Sequence, residues 1–459
     1  MSSFDDSLTP GDDRFGDDGD GNDRSGEQPQ EFNAAEFQAF LQKFINNPSS
    51  FDAQELARMA GLPNDPEQVK QLIGMLSQAM GRANAVDGVD WNVAAQQAKT
   101  EARKSNQGVT EQQRDSWRQA ISIATLWLDQ ATEVSDLTTE PKFLTRDLWV
   151  DDAMPLFKLM SQPVADRMSA ALSEHLANNS PEEFAGVMKD AARMLRNAGG
   201  AMFAMQLGQA MGKLSTQVLS GADIGLPIFT EQRAAFVPQN VDEFVTGLDI
   251  DAREAQIYLA VRELAHARLF KHSKWLRDHV VSQITNYAAD ISIDDSKIMD
   301  AVSNNDLTDP NKMREALESG ALLGDKTEEQ QKALESIETM LALIEGWVDA
   351  VTFEATRLLP KQAAIAETVR RRRATGGPAE LAFGTLVGLE LRPRKLREAT
   401  QMWTQLGEAL GTAKRDSLWD HPDMLPSAAD IEYPGLLITR LQDGGDDMDA
   451  ALRDLLGGN

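Results

Sequence analysis

The chain reads as a mainly α protein with minor short strands, and two observations predict that class. From Trp91 onward apolar residues recur at intervals of three and four, the spacing of one helix face. Runs with the alternation of a strand are few and short, Ile228-Phe229 and Ala235-Phe236-Val237 among them.

The elements follow in order. Residues 1–31 are rich in Asp, Gly and Ser, with Phe4 and Phe15 almost alone as large apolar side chains. Such a segment cannot bury enough surface to offset its ordering entropy, so an acidic disordered tail is expected. Residues 32–83 carry short amphipathic helices, one holding Phe37, Phe40, Leu41 and Phe44, with breaks at Asn46-Asn47-Pro48 and Pro63. This predicts a small helical appendage, joined by a linker at 84–90 to a main helical domain over 91–434. In that domain Ile121, Leu126, Trp127 and Leu128 fall in one helix, and Val187, Met188, Ala191, Met194 and Leu195 in another. A third, over 203–219, is rich in Gly, Ala and Met. A long helix is predicted over 251–271 and another over 328–359. Residues 440–459, with Gly-Gly-Asp-Asp at 444–447, read as a second loose acidic end.

Composition excludes several functions. With 459 residues the chain can build two or three domains, or one large domain with appendages. A net charge of -27 repels nucleic acid and anionic membrane, so neither is an expected partner, while a protein or peptide partner, a basic one included, stays open. There is no cysteine, hence no disulfide, thiolate metal site or cysteine nucleophile. No secretory signal is recognisable at the N-terminus, and no segment offers the roughly 18 uninterrupted apolar residues of a membrane span. A soluble cytoplasmic protein is expected. No phosphate loop, dinucleotide fingerprint or serine-nucleophile elbow is present.

The chemistry centres on Arg262-Glu263-Leu264-Ala265-His266. It is the zinc-protease pattern H-E-x-x-H with its first histidine replaced by arginine. In the intact pattern two imidazoles one helical turn apart bind one Zn²⁺ and the glutamate polarises the metal-bound water. A guanidinium stays protonated and offers no lone pair to a metal. Either the chain binds metal with a poorer ligand set, or Arg262 fills the metal's place. The helix is apolar on both sides, as buried helices are, so its ionisable groups need partners. On the helix over 328–359 the apolar stripe is Leu334, Ile337, Leu341, Ile344, Val348 and Val351, and Glu345 and Asp349 stand at its edge. They are like charges at i,i+4, a pair that a nearby cation relieves. A metal or Arg262 would serve.

Several motifs together resemble a known family. They are Trp91 with Ala94-Ala95, Ser220-Gly221-Ala222-Asp223-Ile224-Gly225-Leu226-Pro227, the segment Arg262 to Phe270, Trp275-Leu276-Arg277, Glu345-Gly346-Trp347-Val348-Asp349, and Arg371 to Glu380. Leu389 to Arg394 and His421-Pro422-Asp423-x-Leu425-Pro426 extend the likeness, which covers about 91–434. The chain resembles an actinobacterial zincin-like family, labelled zinc-dependent metallopeptidase or hydrolase. The resemblance implies a zincin-like multi-helical core with the E-x-x-H helix at its centre. It implies Glu263 as general base, His266 as metal ligand and Glu345 as third ligand, with Arg262 at the first ligand position. It also implies that the loop at 220–223 shapes the cleft beside that helix.

Alternatives stay open at this point. Spacing alone accounts for Glu263 and His266 as a buried hydrogen-bonded pair. Arg262 is either a cation standing in for zinc, bonded to Glu345 and Glu263, or a charge reaching the surface. Zinc on His266 and Glu345 alone is weak, since catalytic sites usually offer three protein ligands; Asp349 and Glu338 are the nearest further candidates. His272 and His279 stand two turns apart, about 10 Å, too far for one metal, and His272 reaches the site only if the helix breaks before Trp275. His175 and His421 read as structural or surface residues. Arg370 to Arg373 sit where a helix ends before Gly376-Gly377-Pro378, a position that suits cations, though phosphate binding is a second use of such a run. Two functions remain: a metallopeptidase or hydrolase with a degenerate site, weakly active or inactive, with zinc either bound or absent; and a non-catalytic pseudo-zincin serving as a protein-binding scaffold.

Overall fold

A computed structural model describes residues 88–178, 185–229, 231, 233–291, 326–374 and 394–443. By internal contacts the chain divides into residues 1–69 and 70–459, and everything described lies in the second unit. The expected tail at 1–31, the appendage at 32–83, most of the linker and residues 444–459 lie outside the described residues.

The second unit is mainly helical, as expected. Its first helices start on side-chain caps: α1 (Trp91–Arg103) on Asp90, whose carboxylate accepts from the Asn92 N–H, and α2 (Glu111–Leu128) on a reciprocal Thr110 and Gln113 pair. Strand β1 (Lys142–Phe143) follows, then α3 (Arg146–Asn178) and α4 (Ala185–Ser215). Helices α1 and α4 meet along small residues. Ala94, Ala98 and Ala102 are fully buried, and a Cβ on Gly208 would lie 2.6 Å from Gln97 Cβ and 2.7 Å from the Ala94 carbonyl. The two backbones approach this closely because residue 208 has no side chain, and Gly212 does the same one turn on, where a Cβ would lie 2.5 Å from Glu101 Cβ.

Strand β2 (Ala235–Phe236) pairs in parallel with β1, in the register Lys142 to Ala235 and Phe143 to Phe236. Of the strand candidates, Ala235-Phe236 is a strand, whereas Ile228-Phe229 is loop: the Ile228 N–H donates to the Gly221 carbonyl, and the ladder position beside β2 is taken by β1. Trp117 of α2 stacks on Phe236 with ring centroids 4.5 Å apart. This fixes the small sheet against the helical core.

After α5 (Pro238–Val245) comes α6 (Ala252–His272), capped by Asp251, which accepts from the N–H groups of Arg253 and Glu254. Every residue from Ala255 to Phe270 is buried, so α6 is the axis of the core. The helix does break, at Ser273, and α7 (Lys274–Ala289) starts on the next residue. Beside α6 lies α8 (Glu328–Ala355), begun by a Thr327 and Gln330 capping pair and four residues shorter than the predicted 359 end. The remaining elements are α9 (Gln362–Ala374), α10 (Leu396–Leu410), α11 (Thr412–Ser417), a single 3₁₀ turn at Pro422–Met424, and α12 (Ala428–Glu432), and residues 434–443, which include the first four of the expected loose end at 440–459, are helical as well. Helix α10 presses on α8 at Gly346, where a Cβ would stand 2.6 Å from Ala399 Cβ and 2.8 Å from the Ala399 carbonyl carbon. Behind this contact Asp416 accepts from Trp347 Nε1 (2.9 Å), Thr132 Oγ1 (2.6 Å) and Arg415 Nε (2.8 Å), all buried. No described helix is long and apolar enough to cross a membrane.

Candidate functional site

The site forms where α6, α8, α9 and the loop at 220–225 meet. Helical spacing on α6 puts Tyr258, Arg262 and His266 in one row, four residues apart, and α8 faces that row with Glu345 and Asp349. Glu345 is fully buried and is the meeting point. Its Oε2 accepts from Arg262 Nη2, its Oε1 pairs with Arg373 Nη2 from α9, and His266 Nε2 stands 3.1 Å from the same Oε1. Burial disfavours the charged carboxylate, but the guanidiniums of Arg373 and Arg262, with His266, outweigh it and hold Glu345 well below the usual carboxylate range.

His266 lies 3.1 Å by Nδ1 from the Arg262 carbonyl, one turn back. The carbonyl and the carboxylate both only accept, so a neutral ring can donate to one of them and a protonated ring to both. Burial holds the imidazole below its ordinary value; Glu345 pulls the other way, and Arg262 and Arg373 add to the fall.

Glu263 points elsewhere, and here one expectation is corrected: Arg262 bonds to Glu345 and not to Glu263. One residue along a helix is a rotation of about 100°, which turns Glu263 onto the loop at 220–225 and β2. Its Oε2 accepts from the Ala222 N–H (3.1 Å) and its Oε1 from the Ala235 N–H (3.0 Å), with a further hydrogen bond from the Ser220 side chain. Among the described residues no guanidinium is hydrogen-bonded to it. Burial therefore dominates and pushes its pKa up to about 7, against the pull of those three donors. Gly221 passes so close that a Cβ there would meet Glu263 Oε1 at 3.1 Å.

The arginine run is built into the same cluster. Arg370 pairs with Asp349 (2.8 Å), Arg372 with Asp223 (2.6 Å), and Arg373 with Glu345 and the Asp223 carbonyl. Arg371 turns outward to Glu367. Sequence reasoning placed these cations at a helix end and missed Arg373 as a partner of Glu345. The signal available was three carboxylates, Asp223, Glu345 and Asp349, in otherwise apolar motifs, each needing a cation. Gly225 completes the wall: its φ of +86° favours glycine, and a Cβ there would lie 3.3 Å from Arg373 Nη2 and 3.4 Å from Glu345 Oε1.

Of the other candidates, Asp349 lies in the cluster but is held by Arg370, and the rest whose side chains are described have partners elsewhere. Asp349 accepts from Arg370 and, at 3.3 Å, from Thr400, and Glu338 pairs with Arg394. His272, beside the helix break, turns to Asp420 at 2.7 Å; His279 stands edge-on to Trp275; His421 sits 3.4 Å from Asp423. His175 falls on the stretch of α3 whose side chains lie outside the described residues.

This donor set does not fit zinc. His266 offers one lone pair, both oxygens of Glu345 are bound by guanidiniums, and Arg262 has no lone pair to give. Among the described residues no group of three or more His, Asp and Glu side chains is placed to hold a metal.

Residues 89–438 match the family model described as zincin-like metallopeptidase. A crystal structure from Chloroflexus aurantiacus, described as "a putative hydrolase with a novel fold", superposes with a TM-score of 0.54 at 18% identity, covering 77% of this chain and 99% of that one. At that identity the likeness is one of fold. No curated protein matches the chain.

Proposed function

Because the chain belongs to the zincin-like metallopeptidase family, we propose that it is a member whose metal position is occupied by its own cations, and that it serves as a protein- or peptide-binding pseudo-zincin. The observation that carries this reading is the pairing of Glu345 with both Arg262 and Arg373. Two guanidiniums supply the two positive charges that a Zn²⁺ ion would bring. They neutralise the carboxylate with directional hydrogen bonds, and neither can polarise a water as a Lewis acid does. On this reading the fold serves recognition, and a peptide or basic protein segment is the partner class that suits an acidic chain of net charge -27.

One observation favours a hydrolase. Glu263, raised to about 7, has the proton affinity of a general base working at neutral pH. For that role it would have to release Ala222 and Ala235 and face a substrate. The test is incubation of the full chain with a mixed peptide library, with and without added Zn²⁺, followed by mass spectrometry and by equilibrium retention of peptides. Retention without cleavage is the expected result. Cleavage that disappears in Glu263→Gln would overturn the reading in favour of the hydrolase.

A further inference from the structure

The loop beside α6 shuts Glu263 in. Its Oε2 accepts from the Ala222 N–H and its Oε1 from the Ala235 N–H, with the Ser220 hydroxyl as a further donor. Gly221 passes so close that a Cβ there would stand 3.1 Å from Oε1, and the residue is 2% exposed. While Ala222 stays in place, the carboxyl is covered from solvent and from any substrate.

The stretch that covers it is small and lies between anchors. Ser220, Gly221, Ala222 and Asp223 carry no large apolar side chain, so none would have to leave the core if they moved. Leu219 before them and Ile224 and Leu226 after them are buried and fix both ends. Gly221 lies inside the stretch and Gly225, with its φ of +86°, just beyond it, and glycine permits backbone rotations that other residues resist. The main-chain ties of the stretch are the Gly221 N–H to the Ala235 carbonyl (2.9 Å), the Gly225 N–H to the Ala222 carbonyl (2.8 Å) and a longer one from Ile228 to the Gly221 carbonyl (3.3 Å). Its side-chain fastening is ionic. Arg372 of α9 donates to both oxygens of Asp223 (2.9 and 2.6 Å) and to the Gln217 carbonyl (2.7 Å), Arg373 donates to the Asp223 carbonyl, and Asp223 accepts from the Leu219 N–H (2.9 Å). The Arg372 and Asp223 side chains keep 20% and 10% of their surface exposed, so this pair stands at the rim while Glu263 lies behind it.

From this geometry we propose that residues 220–223 form a strap across Glu263 and that the bidentate Arg372–Asp223 pair is its catch. Release of the catch lets the strap pivot between Leu219 and Gly225, which withdraws the Ala222 N–H and uncovers the carboxyl. The closed strap is an autoinhibitory contact on the glutamate of the E-x-x-H motif. The inference goes beyond the binding reading, since access to Glu263 is set in this way whether or not the protein holds a peptide, and its test involves neither peptide nor metal.

The experiment is amide hydrogen exchange of the full chain, read by mass spectrometry on peptides spanning 218–226, with the buried stretch of α6 at 255–270 and the β1 segment as internal references. Exchange reports the opening free energy of each segment separately, so a local strap and a general loss of stability give different patterns. In Arg372→Ala the 218–226 amides should exchange about tenfold faster or more, while the two references change by less than about threefold. Arg372→Lys, which keeps the charge but loses the fork, should give a smaller factor, and Arg371→Ala, whose side chain turns outward to Glu367, should leave all three segments unchanged. Asp223→Asn, which keeps the shape and removes the charge, tests the same catch from the other side and serves if Arg372→Ala does not fold. On the same proteins, a water-soluble carbodiimide with glycinamide converts reachable carboxyls to amides. Glu263 should be labelled several-fold faster in Arg372→Ala or Asp223→Asn than in the unaltered chain. Exchange of 218–226 that moves only in step with the references, an equal effect of Arg371→Ala, or a Glu263 as unreactive in the catch variants as in the unaltered chain would overturn the proposal.

Discussion

Replacing Glu345 by Gln isolates the charge at the centre of the site. The variant keeps the volume, shape and one carbonyl acceptor, so nothing is lost to a cavity. What goes is an anion that pairs directly with both Arg262 and Arg373, in a residue with no solvent exposure. Removing one partner of a buried ion pair costs about 3–5 kcal/mol, because the charges left behind cannot be rehydrated. Two guanidiniums are stranded here, each roughly nine-tenths covered, which points to the upper part of that range. Equilibrium unfolding in urea is the assay. With a slope of about 3 kcal/mol/M the midpoint should fall by roughly 1 M or more. The fall should be the same with and without a chelator, since the cations are part of the chain. A loss below about 1 kcal/mol, or one seen only in metal-treated protein, would refute the reasoning.

Other consequences follow from single contacts. Glu263 has its carboxyl raised from 4.5 to about 7, so the folded chain holds that proton more tightly than the unfolded chain does. The stability this contributes is full below pH 4.5 and is lost as pH rises through 7, on the order of 3 kcal/mol over that window. The difference in stability between Glu263→Gln and the unaltered chain should therefore shift towards the variant between pH 5 and 8, as measured by urea titrations at several pH values; a constant difference would contradict the assignment. Gly346→Ala forces a Cβ to 2.6 Å from Ala399 Cβ and should cost about 1–3 kcal/mol by calorimetry, whereas an unchanged melting temperature would show that α8 and α10 can separate freely. Asp416→Asn removes the charge that answers buried Arg415 and should cost at least about 2 kcal/mol, against almost nothing if that pair is screened.

Much of this was legible in the sequence, and the failures have physical reasons. The long helices were readable because apolar residues recur at three- and four-residue spacing in the sequence, even though burial over Ala255–Phe270 and Met340–Thr352 is continuous. The meeting of α6 and α8 could be anticipated from Glu345 and Asp349, two carboxylates on an apolar stripe that demand a cation. Strand β1 could not be seen, since two residues have no periodicity. Arg373 was hidden inside a run that a helix end explains equally well. The direction of Glu263 was also out of reach: it depends on two backbone N–H groups, at Ala222 and Ala235, which every residue but proline carries. Charge spacing reports which groups need partners; only the packing of α9 and the loop at 220–225 decides which partner each one finds.

The central claim is that arginines, and not zinc, balance Glu345. The most direct measurement is the metal content, by inductively coupled plasma mass spectrometry, of untagged protein purified without chelator, beside an Arg262→His/Arg373→Ala double variant that gives back an imidazole and frees Glu345. The account predicts no zinc in the unaltered chain and about one zinc per chain in the double variant. About one zinc per unaltered chain, lost on His266→Ala, would contradict it.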